Sequence, residues 1–411
     1  MKLWKVDTLQ AAREKLLAAA SAKPPEREKV SVAHSIGRIL AADLGSTEEI
    51  PGFRRSTVDG YAVAAADTQG VTESVPVFLD IVEEIRMGTA PVHRLHPGQT
   101  AYVPTGGMLP EGADAVVMVE YCEKFTEHSI AVYDALSPGR NVVAAGEDIA
   151  AGQVFLTGGT RIRAQEVGAL SAAGVDRPEV FRPWRITIIS TGDELVDAAD
   201  VPKPGQVRDV NTYALSAAAC QCGFEVVETT VIKDAEAKLQ QVVAAAMQTS
   251  DVVVVSGGSS QGEKDHTAQV LDRLASPGVF THGIALKPGK PTILGYDEES
   301  GTVLAGLPGH PVAALLTFEL LLGWLYRRLT GQRDPETIPA AITENVPAAG
   351  GKTTCLPVKL KRCGSGRYTA EPVFGKSGLI TSLTKADGYM MMDVNQEGLK
   401  AGERVQVTLL R

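Results

Sequence analysis

Glycine, hydroxyl and carboxylate residues recur behind three apolar runs. RITIIS (185–190) leads into Thr191-Gly192-Asp193-Glu194, VVVV (252–255) into Ser256-Gly257-Gly258, and TVLAG (302–306) into Leu307-Pro308-Gly309-His310-Pro311. Glycine lets a backbone come close to a ligand, while hydroxyls and the amides of a helix start donate to an anion. KPGKP (287–291) adds two cations, Lys287 and Lys290, on a stiff loop. Together these are the parts of an anion site suited to phosphates, with Ser190 and Ser256 as further hydroxyls.

Carboxylates stand in the same places: Glu194, Asp234, Glu263 and Asp265 fall at or just after the predicted strand ends. Beside a phosphate they repel the ligand unless a cation lies between, and Mg2+ is the usual bridge. Helix capping is the alternative role for any one of them. Four at the tips of one sheet point to a site.

Other motifs carry less. GGKTT (350–354) resembles the end of a phosphate-binding loop, but Val346 stands where that loop needs its first glycine. No GxGxxG follows the first strand of a βαβ unit, which excludes the usual dinucleotide fingerprint. His93-x-x-His96 lacks a metalloprotease pattern, and Cys220-x-Cys222 has no second pair at ligand spacing. Ser190 and Ser256 have no His/Asp partners at hydrolase spacing. FRRSTVDGY (53–61) and PTGG (104–107) are polar, and by spacing alone they read as turns.

The elements that must position these residues follow from periodicity. From 184 onward, buried strands at 185–190, 225–232, 252–255 and 302–308 alternate with helices at 211–224, 235–250 and 313–326. That alternation predicts parallel βαβ units with helices on both faces, so ligands belong beyond the strand C-termini. Residues 1 to about 45 read as a helix, the turn KPPE (23–26) and a further helical run. Short β runs fill 51 to about 145, helix returns at 164–174, and the tail after 331 reads as a small β-barrel.

The chain has 411 residues and a formal net charge of −9, which leaves no basic face for nucleic acid. Its five cysteines form no disulfide pattern and suggest a reducing, cytoplasmic setting. Asp7 and Glu14 interrupt the N-terminal small-residue run, and Glu319 sits in an apolar helix too short to span a bilayer, so no membrane association is expected.

In order along the chain, STVDGYA (56–62), PTGGMLPEGADAVV (104–117), GEDI (146–149), STGDEL (190–195), VRDVN (207–211), SGGSSQGEKDHT (256–267), KPGKP (287–291) and LPGHP (307–311) resemble the molybdopterin molybdenumtransferase family, which includes the C-terminal domain of gephyrin. The resemblance covers essentially the whole chain. It implies an α/β multidomain fold: an elongated dimerisation domain (1–45 with 146–180), an inserted β-rich domain (46–145), a parallel α/β molybdopterin-binding domain (181–331) and a C-terminal β-barrel (332–411). It further implies insertion of molybdate into adenylylated molybdopterin with release of AMP and help from Mg2+. The acting form would be a homodimer with sites shared between subunits, supplied by a molybdopterin adenylyltransferase.

Carried over by motif, Asp59, Thr105, Glu194, Asp234 and Asp265 are the functional carboxylates and hydroxyl, with Glu194, Asp234 and Asp265 as metal ligands. Ser190, Thr191, Gly192, Ser256, Gly257, Gly258, Lys287, Lys290, Pro308, Gly309 and Pro311 would bind substrate. The chain departs from the family pattern in three places: Val142-Val143-Ala144-Ala145 replaces basic residues before Gly146, with Arg140 as the substitute cation; His310 replaces Asn; and Thr57-Val58 replaces Ala-Met. Two other readings are a non-catalytic molybdopterin scaffold and the pterin adenylyltransferase itself. The acidic set argues for chemistry over a scaffold, and the added β modules argue against the adenylyltransferase.

Overall fold

Period-two burial in the apolar strands decides the architecture. Val252 and Val254 enter one hydrophobic cluster with Ile186, Ile188, Val303 and Ala305, while Val253 and Val255 enter another with Ile189 and Leu304. Both faces of this sheet are therefore covered, as a run of four valines requires. The computed structural model describes residues 6–257, 266–364 and 366–410. The described chain divides into two units. One takes the residues up to Ala42, Gly158–Arg163 and those from Pro178 onward; the other takes Asp43–Thr157 and Ala164–Arg177.

In the first unit the strands are β1 (Arg185–Thr191), β2 (Glu225–Ile232), β3 (Val252–Ser256), β4 (Pro277–His282), β5 (Ile293–Asp297) and β6 (Thr302–Leu307), in the sheet order β2-β1-β3-β6-β5-β4. Strands β2, β1, β3 and β6 run parallel, with Ile188 opposite Val254 and Val254 opposite Ala305. The four strands read from the sequence are thus parallel, as expected, and the sheet is extended at one edge by β5, which runs antiparallel to both β6 and β4. The cause is the short connection from Asp297 to Thr302. Its tight turn, in which the Asp297 carboxylate accepts from Ser300 N–H and hydroxyl, leaves no room for a crossover helix.

Helices α1 (Leu9–Ala20), α2 (Asn211–Cys222) and α5 (Pro311–Phe318) cover one face, and α3 (Glu236–Met247) and α4 (His266–Leu274) the other. Gly223, at φ +97°, ends α2 in the left-handed conformation that glycine tolerates. Beyond α5 the helix continues through a π-type turn, Glu319–Gly323, whose Leu320 carbonyl accepts from Arg13 Nε at 2.9 Å. No helix among the described residues is long and apolar enough to cross a membrane.

The helical run expected after KPPE is reduced to a single 3-10 turn, Val32–His34. Arg27–Lys29 and Ile39–Leu40 instead flank Glu179–Phe181 as antiparallel strands. Their partner lies far along the chain, so local periodicity could not announce it. The C-terminal segment is the expected barrel: Thr353–Arg362, Tyr368–Pro372, Thr337–Ile342, Arg404–Leu409 and Gly388–Met392 close into a ring around Ile342, Val358, Met390 and Val407.

The second unit carries a six-stranded sheet in the order Ala115–Met118, Gly60–Val63, Gln99–Val103, Val77–Glu84, Ser129–Val132, Cys122–Thr126. Gly60 is obligatory here, since a Cβ would lie 1.9 Å from the Val117 carbonyl oxygen.

Candidate functional site at the strand tips

The C-terminal ends of β1, β3 and β6 meet the N-terminus of α2 in one buried polar network. The Ser190 hydroxyl, on β1, lies 2.7 Å from that of Thr212 and donates to Asp209 Oδ1 at 3.3 Å. The Thr212 N–H also donates to Asp209 Oδ1, at 3.2 Å. Asn211 Nδ2 donates to Ser256 Oγ on β3 and to the Gly309 carbonyl beyond β6, both at 2.8 Å. One asparagine thus ties two strand tips to a helix start.

Gly257 shows why glycine follows the valines. Its φ is +103°, and a Cβ there would sit 2.2 Å from the Thr191 carbonyl oxygen. The glycine lets β1 and β3 end side by side. Pro311 begins α5 with its φ already set for a helix, which fixes the turn Pro308-Gly309-His310.

Ser190, Asp209, Asn211, Ser256, Gly257 and Gly309 line a cleft of about 610 Å³, together with Thr191, Glu194, Asp234 and Pro308. The Thr191 hydroxyl donates to Asp234 Oδ1, and the Asp234 N–H donates to Asp193 Oδ1 at 3.3 Å. Glu194 and Asp234 are exposed, whereas Ser190, Thr191, Ser256 and Pro308 are buried. Among the described residues, two buried acceptors of the cleft's residues have no partner, Asp209 Oδ2 and Asn211 Oδ1. An unmet acceptor of this kind costs about 1–3 kcal/mol, and more when charged.

Lys287 and Lys290 stand elsewhere. The sequence set them in one anion site with the carboxylates; in the structure they line an adjoining cavity of about 680 Å³ with Lys352 and Lys376. Pro291, Pro308 and His310 border both spaces. His310 Nδ1 lies 2.8 Å from Ser377 Oγ, tying the start of α5 to the loop after the barrel strand Tyr368–Pro372. Gly258, Glu263 and Asp265 lie outside the described residues.

In the second unit, Asp59 and Thr105 are partners, brought together from the two stretches that read as turns. The Thr105 N–H and hydroxyl both donate to Asp59 Oδ1, at 2.7 and 3.0 Å. Their two turns are stitched by Gly106 N–H to the Ser56 carbonyl at 2.8 Å and Ser56 N–H to the Gly107 carbonyl at 3.0 Å. The Thr105 N–H, then its hydroxyl, hold the Asp59 carboxyl below the usual carboxylate range.

Among the described residues no group of three or more His, Cys, Asp or Glu side chains is placed to hold a metal ion. Mg2+ takes oxygen ligands and is commonly bound through one or two carboxylates plus substrate phosphates. Glu194 and Asp234, both in the cleft wall, fit that pattern.

Sequence reasoning missed Asp209, Asn211 and Thr212. The signal was present in VRDVN (207–211), an acidic and an amide residue directly before an apolar helix. By itself that pattern is indistinguishable from an ordinary helix start.

Residues 7–174 match the MoeA N-terminal region (domain I and II), 187–327 a probable molybdopterin binding domain, and 339–410 the MoeA C-terminal region (domain IV). The chain is 31% identical to the molybdopterin molybdenumtransferase of Bacillus subtilis over 395 residues, covering 95% of this chain and 91% of that one. It is 30% identical to the enzyme of the same name from Haemophilus influenzae, covering 97% of this chain and 98% of that one. A crystal structure of a molybdopterin biosynthesis MoeA protein from Pyrococcus horikoshii superposes with a TM-score of 0.79 at 36% identity, covering 98% of this chain and 99% of that one.

Proposed function

This chain belongs to the MoeA family of molybdopterin molybdenumtransferases, and from that premise we propose how its residues insert molybdate into adenylylated molybdopterin with release of AMP. It is a transferase of molybdenum cofactor biosynthesis. The observation that carries the residue-level reading is the cleft at the ends of β1, β3 and β6, where a buried hydroxyl and amide network underlies two exposed carboxylates.

The bond that breaks is the phosphoanhydride between pterin phosphate and AMP. Water or a molybdate oxygen attacks the pterin-side phosphorus and forms the new P–O bond, while AMP leaves with the electron pair of the broken one. Gly192, Gly257 and Gly309 let phosphate oxygens approach the backbone, and Gly258, outside the described residues, is assigned to the substrate by its motif alone. The Thr191 hydroxyl orients Asp234 through its donated hydrogen bond. Ser190, Ser256, Pro308 and Pro311 hold the turns, and Lys287 and Lys290 offset negative charge from the neighbouring cavity. Glu194, Asp234 and Asp265 would hold Mg2+, which when bound offsets the charge that builds on the phosphate oxygens. Asp59 and Thr105 act on the same reaction as a pre-oriented carboxylate and hydroxyl. The working form is proposed to be a cytoplasmic homodimer that receives its substrate from a molybdopterin adenylyltransferase.

The test is direct. The purified protein is incubated with adenylylated molybdopterin, Mg2+ and molybdate, and AMP release and metal incorporation are followed. Molybdate-stimulated AMP release with incorporation is expected. Tight binding without stimulated release would leave a scaffold. Light scattering checks the dimer, and chelation of Mg2+ should abolish AMP release.

A further inference from the structure

Two acceptors are left over in the strand-tip cleft, and their neighbours say what must meet them. Asp209 and Asn211 are only 4% and 8% exposed, and both line the cleft. Among the described residues, the buried atoms Asp209 Oδ2 and Asn211 Oδ1 have no hydrogen-bond partner. The amide orientation of Asn211 is not open to choice. Its Nδ2 faces the Gly309 carbonyl at 2.8 Å, a group that only accepts, so the free amide atom is oxygen. Ser256, the other group near that amide, spends its hydrogen on the Pro308 carbonyl.

Asp209 is fixed in the same way. Its Oδ1 takes hydrogen bonds from the Ser190 hydroxyl and the Thr212 N–H, which leaves Oδ2 as the free acceptor. The missing partners are therefore donors. Phosphate and molybdate present mainly acceptors. Adenine alternates a donor with an acceptor along its pairing edge. The aminopyrimidinone ring of a pterin carries an exocyclic amine beside a ring N–H, two donors in adjacent positions.

We infer that Asp209 and Asn211 are the specificity element that reads the donor edge of the pterin ring. The phosphates are left to the glycine turns and the lysine cavity. This inference rests on the molybdopterin reading above. A site built to accept from N–H groups rejects an analogue lacking one, because its own buried oxygens then stay unpaired.

The test compares pterin-6-carboxylate with lumazine-6-carboxylate, in which oxygen replaces the exocyclic amine, binding to the full-length protein; AMP is a third ligand. The wild type is expected to prefer the pterin by about tenfold or more. In Asp209→Asn the Thr212 N–H and Ser190 hydroxyl keep oxygen in the first position, so the new amide nitrogen takes the place of Oδ2. That variant should lose the preference for pterin while its AMP affinity and unfolding midpoint stay unchanged.

A preference kept in Asp209→Asn overturns the inference. So does an equal loss of pterin and AMP affinity, which would mark a merely structural role. Should Asp209→Asn fail to fold, the wild type alone decides, since an active wild type indifferent to the two rings overturns the assignment. A wild type that neither binds pterin nor turns over adenylylated molybdopterin removes the functional reading with it.

Discussion

Two polar clusters in this protein join an aspartate to hydroxyl groups, and they are built in opposite ways. At the strand tips, Asp209 is buried with Ser190 and Thr212, and two acceptors in the cluster remain unmatched among the described residues. In the β-rich unit, Asp59 and Thr105 are both exposed and matched to each other. The first is held by tertiary packing of three strands and a helix. The second is held by two turns that exchange backbone hydrogen bonds. The difference teaches that substitutions which break the buried packing or hydrogen bonds at the strand tips should change stability and activity together, whereas isosteric substitutions of exposed carboxylates should change activity alone.

The sharpest way to break that contrast is Gly257→Ala. A Cβ meeting the Thr191 carbonyl at 2.2 Å, on a residue at φ +103°, forces the tips of β1 and β3 apart. We expect a loss of about 2 kcal/mol or more, read as a lower denaturation midpoint, and loss of turnover. Next comes Asn211→Ala, which leaves the Gly309 carbonyl without its 2.8 Å donor. A destabilisation of about 1–3 kcal/mol should appear in thermal unfolding. An unchanged midpoint in either variant would mean that burial is not what holds the tips.

Glu194→Gln and Asp59→Asn replace exposed carboxylates. Each should lower molybdate-stimulated AMP release at least tenfold while leaving unfolding unchanged. A drop in stability comparable to that of Asn211→Ala would erase the distinction. The smallest effect is electrostatic. Thr105→Val removes the second cause of the lowered Asp59 pKa and keeps the first, the backbone N–H. Its carboxyl titration, followed by NMR, should move up toward the ordinary range without reaching it. The sign follows from the lowered pKa: the contact is complete above the ordinary carboxylate range and is lost as pH falls through the native Asp59 pKa.

Legibility differs between the same two regions. The strands at 185–190, 225–232 and 252–255 and the helix stop at Gly223 were readable because burial period and glycine conformation are local properties. Asp59 and Thr105 were found only through a motif resemblance, since Asp-Gly and Thr-Gly-Gly spell ordinary turns. Asp209 and Asn211 were hidden because a helix start uses the same residue types as a binding site.

By itself, the sequence determined the alternation of strand and helix, and with it the edge of the sheet where ligand chemistry gathers. Valines that must be buried on both faces, ended by glycines, permit little else. Only the tertiary structure decided how charge is divided there. It set Lys287 and Lys290 in one cavity and Glu194 and Asp234 in the next, with Pro308 and His310 between them. It also reversed β5 between β6 and β4 and left Asp209 and Asn211 each with an oxygen unmatched among the described residues. The physical reason is range. Periodicity and backbone preference act over a few residues, while the pairing of a charge or a hydrogen bond depends on which distant segments the fold brings beside it.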